Sequence, residues 1–145
     1  MKYQMIALSA ALCASLAGGA FAADGMSRDA YKADKDKIEA TAKADKKACE
    51  GMKENAKDVC QAEAKAKEKI AKAELDAQNK PGAAADDKVR KMKAEGEYEV
   101  AKEKCEDMKG TAVASCKKDA KVAYDKAKGE AKQARQTKTG EAKKS

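Results

Sequence analysis

Apolar side chains recur along this chain at intervals of three and four residues, with lysine and glutamate at many of the positions between them. Four stretches show the pattern, and each keeps its apolar positions on one stripe. The stripes are Tyr31, Ile38, Ala42, Cys49 and Met52; Val59, Ala66, Ile70, Ala73 and Ala77; Ala94, Tyr98, Ala101, Cys105 and Met108; and Val113, Cys116, Ala120, Ala123 and Ala127. Because residues three and four apart share one face of an α-helix, the pattern predicts four amphipathic helices.

Turn-forming residues separate the stripes and group them in pairs. Gly51–Asn55 interrupts the first pair and Gly110–Thr111 interrupts the second. Pro81–Gly82 ends the second helix, because proline cannot continue a helix and glycine suits a left-handed cap. We therefore expect a hairpin of two helices on either side of the Pro81–Gly82 break.

Four polar residues are expected at helix starts. Asn55 and Thr111 stand where the second and fourth helices would begin, and side chains of this type accept hydrogen bonds from free backbone N–H groups. Asp86 and Asp87 suit the start of the third helix, both as caps and because their charge opposes the helix dipole.

The composition completes the expected architecture as an all-α fold. Alanine, lysine and glutamate dominate the chain, and all three favour helices. We divide the chain into a signal peptide, a first helical hairpin, a linker, a second helical hairpin and a disordered basic tail, with bounds 1–22, 23–79, 80–87, 88–135 and 136–145. Large apolar side chains are few, so an extended or coiled-coil-like arrangement and disorder both stay open.

The first twenty-two residues are expected to direct export and not to belong to the fold. Lys2 supplies a positive start, Met5–Ala17 is an apolar run, and Ala20–Ala22 fits a signal-peptide cleavage site. The run is short for a membrane-spanning helix, although an uncleaved anchor is the alternative. Cys13 lies inside the run without the residues that precede a lipid-modified cysteine. We predict a mature protein in the periplasm or outside the cell.

Removal of that segment leaves four cysteines in two pairs of equal spacing. The segment Cys49–Cys60 recurs 56 residues later as Cys105–Cys116, with six of the twelve positions identical. In a hairpin, the members of each pair lie level on facing helices, so disulfides Cys49–Cys60 and Cys105–Cys116 are geometrically plausible. In one uninterrupted helix, the two cysteines of a pair would lie ~16 Å apart and could bond only to another chain. The turn residues favour the hairpin.

The same residues also suggest a metal-binding interpretation. Each segment contains Cys-x-x-Met, which brings a thiolate and a thioether to one side of a helix, a soft ligand set suited to Cu(I). The candidate ligands are Cys49, Met52, Cys105 and Met108, and disulfide formation would exclude this use. We otherwise expect no cofactor, no catalytic residue and no enzymatic activity, because the chain lacks histidine and any nucleophile or phosphate-binding motif.

The excess positive charge is confined to the end of the chain. Residues 23–116 carry 21 basic and 21 acidic side chains, whereas residues 117–145 carry 10 and 4. Helical spacing places five of these basic residues near one side of the fourth helix: Lys117, Lys121, Lys128, Lys132 and Arg135. They form either a solvated face or a contact surface for anionic lipid or envelope polymer, and such binding would weaken with salt. The scarcity of aromatic residues argues against nucleic acid as a partner.

The first cysteine segment resembles one group of known proteins. Asn55–Lys65 and the Cys-x-x-Met before it are similar to small exported Lys/Ala-rich proteins of Gram-negative bacteria, some loosely labelled TolA-like envelope proteins. The likeness covers about residues 31–135, and the second copy departs from it at Thr111 and Ala114. It implies an exported helical protein and brings no known activity. We expect a structural or envelope-associated protein whose hairpins pack together or into a homo-oligomer.

Overall fold

The computed structural model describes residues 25–142, so the predicted signal peptide lies outside the described residues. Four α-helices make up almost all of this range: α1 Arg28–Ala48, α2 Glu54–Asn79, α3 Ala83–Cys105 and α4 Thr111–Ala142. A short 3-10 turn, Cys49–Gly51, follows α1. No strand occurs between residues 25 and 142, and the all-α fold class is confirmed.

Helix α1 begins and ends with residues that satisfy its free backbone groups. Ser27 caps the helix, since its Oγ accepts a hydrogen bond from the Ala30 N–H at 3.2 Å. Asp29 lies in the first turn and Lys46 and Lys47 lie in the last, which matches the direction of the helix dipole. The helix therefore starts before Tyr31, where its apolar stripe begins.

Each helix packs only against its neighbours in the chain. Within residues 25–142, contacts join α1 to α2, α2 to α3 and α3 to α4, and none joins α1 to α3, α1 to α4 or α2 to α4. The four helices therefore form one antiparallel layer and not a closed four-helix bundle. Hairpins α1–α2 and α3–α4 lie side by side, with α2 and α3 in the middle and α1 and α4 at the edges.

The seam between α2 and α3 brings the two backbones close together. Gly96 of α3 lies against Ala66 of α2, and a Cβ atom placed on Gly96 would come within 2.8 Å of the Ala66 Cβ. Both residues are buried, so the seam leaves no room for a larger side chain at this point. Ion pairs border the seam on its two sides, among them Lys69–Glu95 at 2.7 Å and Lys93–Glu74 at 2.8 Å.

The core of the described chain consists mainly of alanine. Its buried hydrophobic residues are Ala42, Cys49, Ala64, Ala66, Ala73, Leu75, Ala94, Cys105 and Ala131. Alanine removes little apolar surface from water, so this core supplies less hydrophobic stabilisation than one built from leucine and isoleucine. Close helix packing, ion pairs and crosslinks must therefore carry a larger share of the stability.

The connection between the hairpins is shorter than the predicted linker 80–87. Helix α3 begins at Ala83, which leaves only Lys80–Gly82 between α2 and α3. Asp87 does not cap α3, because it lies inside the helix, where its buried side chain pairs with Lys91 at 2.7 Å. Sequence reasoning placed the helix start too late, since it took both aspartates as caps.

The end of the chain also differs from the prediction of a disordered tail at 136–145. Residues 136–142 continue α4, and residues 143–145 lie outside the described part. Lys138 pairs with Asp86 of α3 at 2.5 Å, so the last turns of α4 are attached to the layer. The Thr139 hydroxyl also donates to the Arg135 carbonyl oxygen at 2.6 Å.

Candidate functional site

Two disulfide-closed turns lie at one end of the helical layer. The first joins α1 to α2 and contains the disulfide Cys49–Cys60. The second joins α3 to α4 and contains Cys105–Cys116, and in both the Cα atoms lie 5.7 Å apart. Cys49 and Cys105 are fully buried. Both disulfides expected from the cysteine spacing are therefore present, and each bonds two facing helices at their adjoining ends.

The backbones of the two closed turns follow the same path. In each turn, the methionine N–H donates to the carbonyl oxygen of the first cysteine at 3.1 Å. Two residues after the methionine, Glu54 and Gly110 both adopt left-handed conformations, with φ of 51° and 59°. At this left-handed position, only the second turn has glycine, which enters the region without steric cost.

Asn55 bonds the first closed turn to the second hairpin. Its Nδ2 donates to the Glu103 carbonyl oxygen at 2.8 Å, so the start of α2 is attached to the end of α3. The predicted capping role of Asn55 is wrong, because α2 begins at Glu54 and the N-cap residue is Lys53, which makes no side-chain cap. Sequence reasoning missed the contact, since an asparagine that caps and one that bridges two helices look the same in a sequence.

The residues of the metal-binding interpretation lie at the closed turns. Cys49 and Cys105 form disulfides and offer no thiolate in this state, while Met52 and Met108 are 44% and 46% exposed. Among residues 25–142, no group of three or more cysteine, aspartate or glutamate side chains is arranged to hold a metal ion. Cu(I) binding would first require reduction of the disulfides, and it stays a prediction.

A charged cluster holds α1 against α2. Lys46 and Lys72 both contact the Glu68 carboxylate, at 2.6 and 2.8 Å, and Lys72 also reaches Glu39 at 3.3 Å. The hydrogen bond from Lys46, followed by that from Lys72, lowers the pKa of Glu68 from its ordinary value of 4.5 to about 2. The hydrogen bond to Glu68 raises the pKa of Lys72. The free energy with which α1 packs on α2 thus includes a charge-dependent contribution.

Aromatic side chains take the corresponding place in the second hairpin. Tyr124 stands 56 residues after Glu68, and its ring stacks on Tyr98 with centroids 4.9 Å apart. Lys102 and Lys128, which correspond to the two lysines of the charged cluster, lie over the two rings at 5.3 and 5.2 Å from the centroids. Stacking of the two tyrosines therefore holds α3 against α4 where ion pairs hold α1 against α2, and each lysine lies over the tyrosine of its own helix.

A polar network at the opposite end of the layer joins the first three helices. The Tyr31 hydroxyl donates to Asp76 at 2.6 Å, and Lys88 contacts the same carboxylate at 2.6 Å. The contact with Lys88, followed by that with Tyr31, lowers the pKa of Asp76. The hydrogen bond to Asp76 raises the pKa of Tyr31. Both ends of the layer are thus fastened, one by disulfides and the other by polar contacts.

The basic residues predicted to contact an anionic surface mostly have partners within the chain. Four of the five are engaged in this way. Their contacts are Lys117–Glu106, Lys121–Asp125, Lys128 over Tyr124, and Arg135–Asp87. An anionic lipid or polymer would have to compete with these contacts, and its binding stays a prediction.

None of the helices α1 to α4 combines the length and apolarity that a membrane span requires. Comparison of the chain with protein-family models, with curated proteins and with solved structures finds no match. What the chain does must be inferred from its own residues, and the two disulfide-closed turns are the most specific feature that they form.

Proposed function

We propose that this chain is an exported, non-enzymatic helical protein that acts in the periplasm or outside the cell as a structural or envelope-associated component. The observation that carries the proposal is the pair of disulfides at corresponding positions of the two hairpins. Disulfides persist in oxidising compartments and are rare in the reducing cytoplasm. The predicted signal peptide, residues 1–22, would supply the route to such a compartment.

The disulfides matter to this fold because its core is small. Closing a loop of about a dozen residues restricts the unfolded chain and contributes ~3 kcal/mol by loop entropy. Whole domains have unfolding free energies of only about 5–15 kcal/mol. Two such bonds are therefore a large share of the stability of an alanine-packed layer, and a chain kept in the cytoplasm would lack them.

The state of the cysteines in the exported chain tests this proposal. The full-length chain is produced in a Gram-negative bacterium, the periplasm is released, and free thiols are alkylated before mass spectrometry. We expect a chain cleaved after Ala22 with no free thiol and with the linked pairs Cys49–Cys60 and Cys105–Cys116. Uncleaved chain retained in the cytoplasm, or exported chain with four free thiols, would contradict the proposal.

A chain that begins at Ala23 behind an added methionine provides the matched control. It lacks the predicted export segment and keeps all four cysteines of the hairpins. We expect it to stay in the cytoplasm with reactive thiols, and to form the same two linkages after purification and oxidation. Linkage of Cys49 to Cys105 or Cys116 in the exported chain would show that the hairpins are not closed separately in the cell.

A further inference from the structure

One face of the α3–α4 hairpin carries a long groove lined mainly by apolar residues, of which alanine is the most frequent. It runs from Met108, beside the second closed turn, to Ala134, and its widest section has a volume of about 580 Å³. Ala101 and Ala123 line both this section and the next, and Ala127 lines both the middle section and the last. The three sections therefore form one continuous apolar surface along the hairpin.

The groove of the α1–α2 hairpin carries charged side chains at two positions where the α3–α4 groove has alanine. Asp45 and Lys67 line the groove between α1 and α2, and 56 residues later their positions are taken by Ala101 and Ala123. Two hairpins with similar closed turns thus differ where a partner could bind. Ala123 is exposed, and a contiguous apolar surface with a charged border is typical of a binding site.

Charged residues border the groove, and residues at the same level on its two sides carry opposite charges. On the α3 side, Lys93 is followed one turn later by Glu97. On the α4 side, Glu130 and Lys126 lie at about the same levels, as the stacked tyrosines of the two helices show. At each level, one side is therefore basic and the other acidic. Glu97, Lys126 and Glu130 are exposed and form no ion pair with any residue between 25 and 140, whereas Lys93 also pairs with Glu74 of α2.

We propose that a second copy of this chain covers the groove. Two α3–α4 hairpins pack face to face around a two-fold axis parallel to the helices, with α3 of each copy on α4 of the other. Every neighbouring pair in the resulting four-helix bundle is antiparallel, as in up-down bundles. The same axis places Lys93 of one copy against Glu130 of the second copy, and Glu97 against Lys126, so that opposite charges meet.

Sedimentation equilibrium of the oxidised mature chain tests this surface. We expect monomers and dimers in exchange between about 1 µM and about 1 mM. The double substitution Ala101→Asp with Ala123→Lys introduces the residue types found at the corresponding positions of the first hairpin, which folds with them. It should weaken the dimer at least about tenfold. Ala40→Asp with Gln133→Lys makes the same charge changes at exposed positions outside the groove and should leave the affinity unchanged.

Melting followed by circular dichroism establishes that both variants are folded, so a loss of dimer can be assigned to the surface. A chain that stays monomeric at about 1 mM would overturn the proposal, because a dissociation constant above about 1 mM is too weak for specific self-association. Equal weakening by the groove variant and by its control would overturn it as well. The measurement uses purified chain and is independent of where the cell places the protein.

The proposed orientation has a sharper test in two charge reversals. Lys93→Glu and Glu130→Lys should each weaken the homodimer, because each places like charges together at both symmetry-related contacts. Mixed in equal amounts, the two variants should form a heterodimer at least about tenfold tighter than either homodimer, since each supplies the charge that the other lacks. If mixing restores no affinity, α3 does not lie on α4 of the second copy.

Discussion

One residue in each closed turn adopts the same left-handed backbone conformation, but the energetic cost differs between the two turns. Glu54 and Gly110 both lie in the left-handed region, at φ of 51° and 59°. This conformation costs a residue with a Cβ atom roughly 1–2 kcal/mol and costs glycine little. The first turn is therefore strained at one residue, and the second turn avoids the strain.

Replacement of these residues should change stability in opposite directions. Glu54→Gly should stabilise the fold by up to ~1 kcal/mol, after allowance for the greater freedom of glycine in the unfolded chain. Gly110→Glu should destabilise it by roughly 1–2 kcal/mol. Glu54→Ala removes the carboxylate but keeps the Cβ atom, so it should give none of the gain. Urea denaturation of the oxidised variants measures these differences, and equal stabilities for the Gly and Ala variants of Glu54 would exclude backbone strain as the cause.

Glu68 should make the first hairpin sensitive to acid. Hydrogen bonds from Lys46 and Lys72 hold its pKa at about 2 in the folded chain, below the ordinary value of 4.5. Because folding favours the charged carboxylate, the contribution of this cluster is complete above pH 4.5 and is lost as the pH falls from 4.5 towards about 2. The second hairpin has no carboxylate at the corresponding position, which is taken by Tyr124.

A glutamine variant isolates this contribution. Glu68→Gln should lower the free energy of unfolding at neutral pH by on the order of 1–2 kcal/mol, a value that allows for solvent screening of the half-exposed lysines. Its stability should also fall less steeply than that of the unchanged chain between pH 4.5 and about 2. Other carboxylates, including Asp76, titrate in both proteins, so the difference between the two curves belongs to Glu68. Parallel curves would contradict the assignment.

The roles of residues in the repeated cysteine segments could be predicted from the sequence. The roles of residues that depend on contact with another helix could not. The spacing of the cysteines is sufficient to pair them once a hairpin is assumed, because the pairing is local. The strain at Glu54 leaves no trace in the sequence, since glutamate is an ordinary residue for a helix start. Gly96 looks like a weak point within a helix, and only the position of Ala66 explains it.

Among the helices, the α2–α3 seam should depend on the absence of a side chain at Gly96. Gly96→Ala places a Cβ atom 2.8 Å from the Ala66 Cβ, so the helices must separate. We expect a destabilisation of about 1–3 kcal/mol, although alanine is the better helix former. Gly129→Ala in α4 is the matched control, because nothing lies within 4 Å of its added Cβ. It should stabilise the fold by up to ~1 kcal/mol.

Thermal unfolding of these two variants tests how tightly α2 and α3 are packed at the seam. A lower melting temperature for Gly96→Ala and a higher one for Gly129→Ala is the expected result. If both substitutions raise the melting temperature, then helix propensity outweighs packing and the seam tolerates a wider spacing.

Helix interiors and the end of α2 before Pro81 followed from the sequence, whereas the start of α3 and the end of α4 did not. The apolar stripes depend on local periodicity, which is a property of each segment alone. The extension of α4 past Arg135 depends instead on Asp86 and Asp87 in α3, which pair with Lys138 and Arg135. Such pairs join residues about fifty positions apart, so the composition of the tail could not indicate them.

For the whole molecule, the sequence indicated two hairpins but not their arrangement in a layer. The outer edges show why the layer ends at two hairpins. Ala66 and Gly96 of the seam correspond to Val122 on α4 and Ala40 on α1, both exposed. A valine and an alanine cannot approach as closely as an alanine and a glycine. The edges therefore lack the close backbone contact of the seam, unlike the stacking surfaces of open-ended repeat proteins, and this favours the groove as the surface proposed to bind a second copy.

The placement of both disulfides at one end determines how the layer would respond to a pulling force. At the opposite end, Gly25 lies against Asn79 and Lys138 against Asp86. Tension applied through residues 25 and 142 would peel α1 and α4 away from that end, turn by turn, until it reached the disulfides. The covalent bonds would then carry the load, and the residues enclosed between each cysteine pair would not extend. Only afterwards would tension open the α2–α3 seam, from the disulfide end towards Pro81, so the molecule would lengthen in two separate stages.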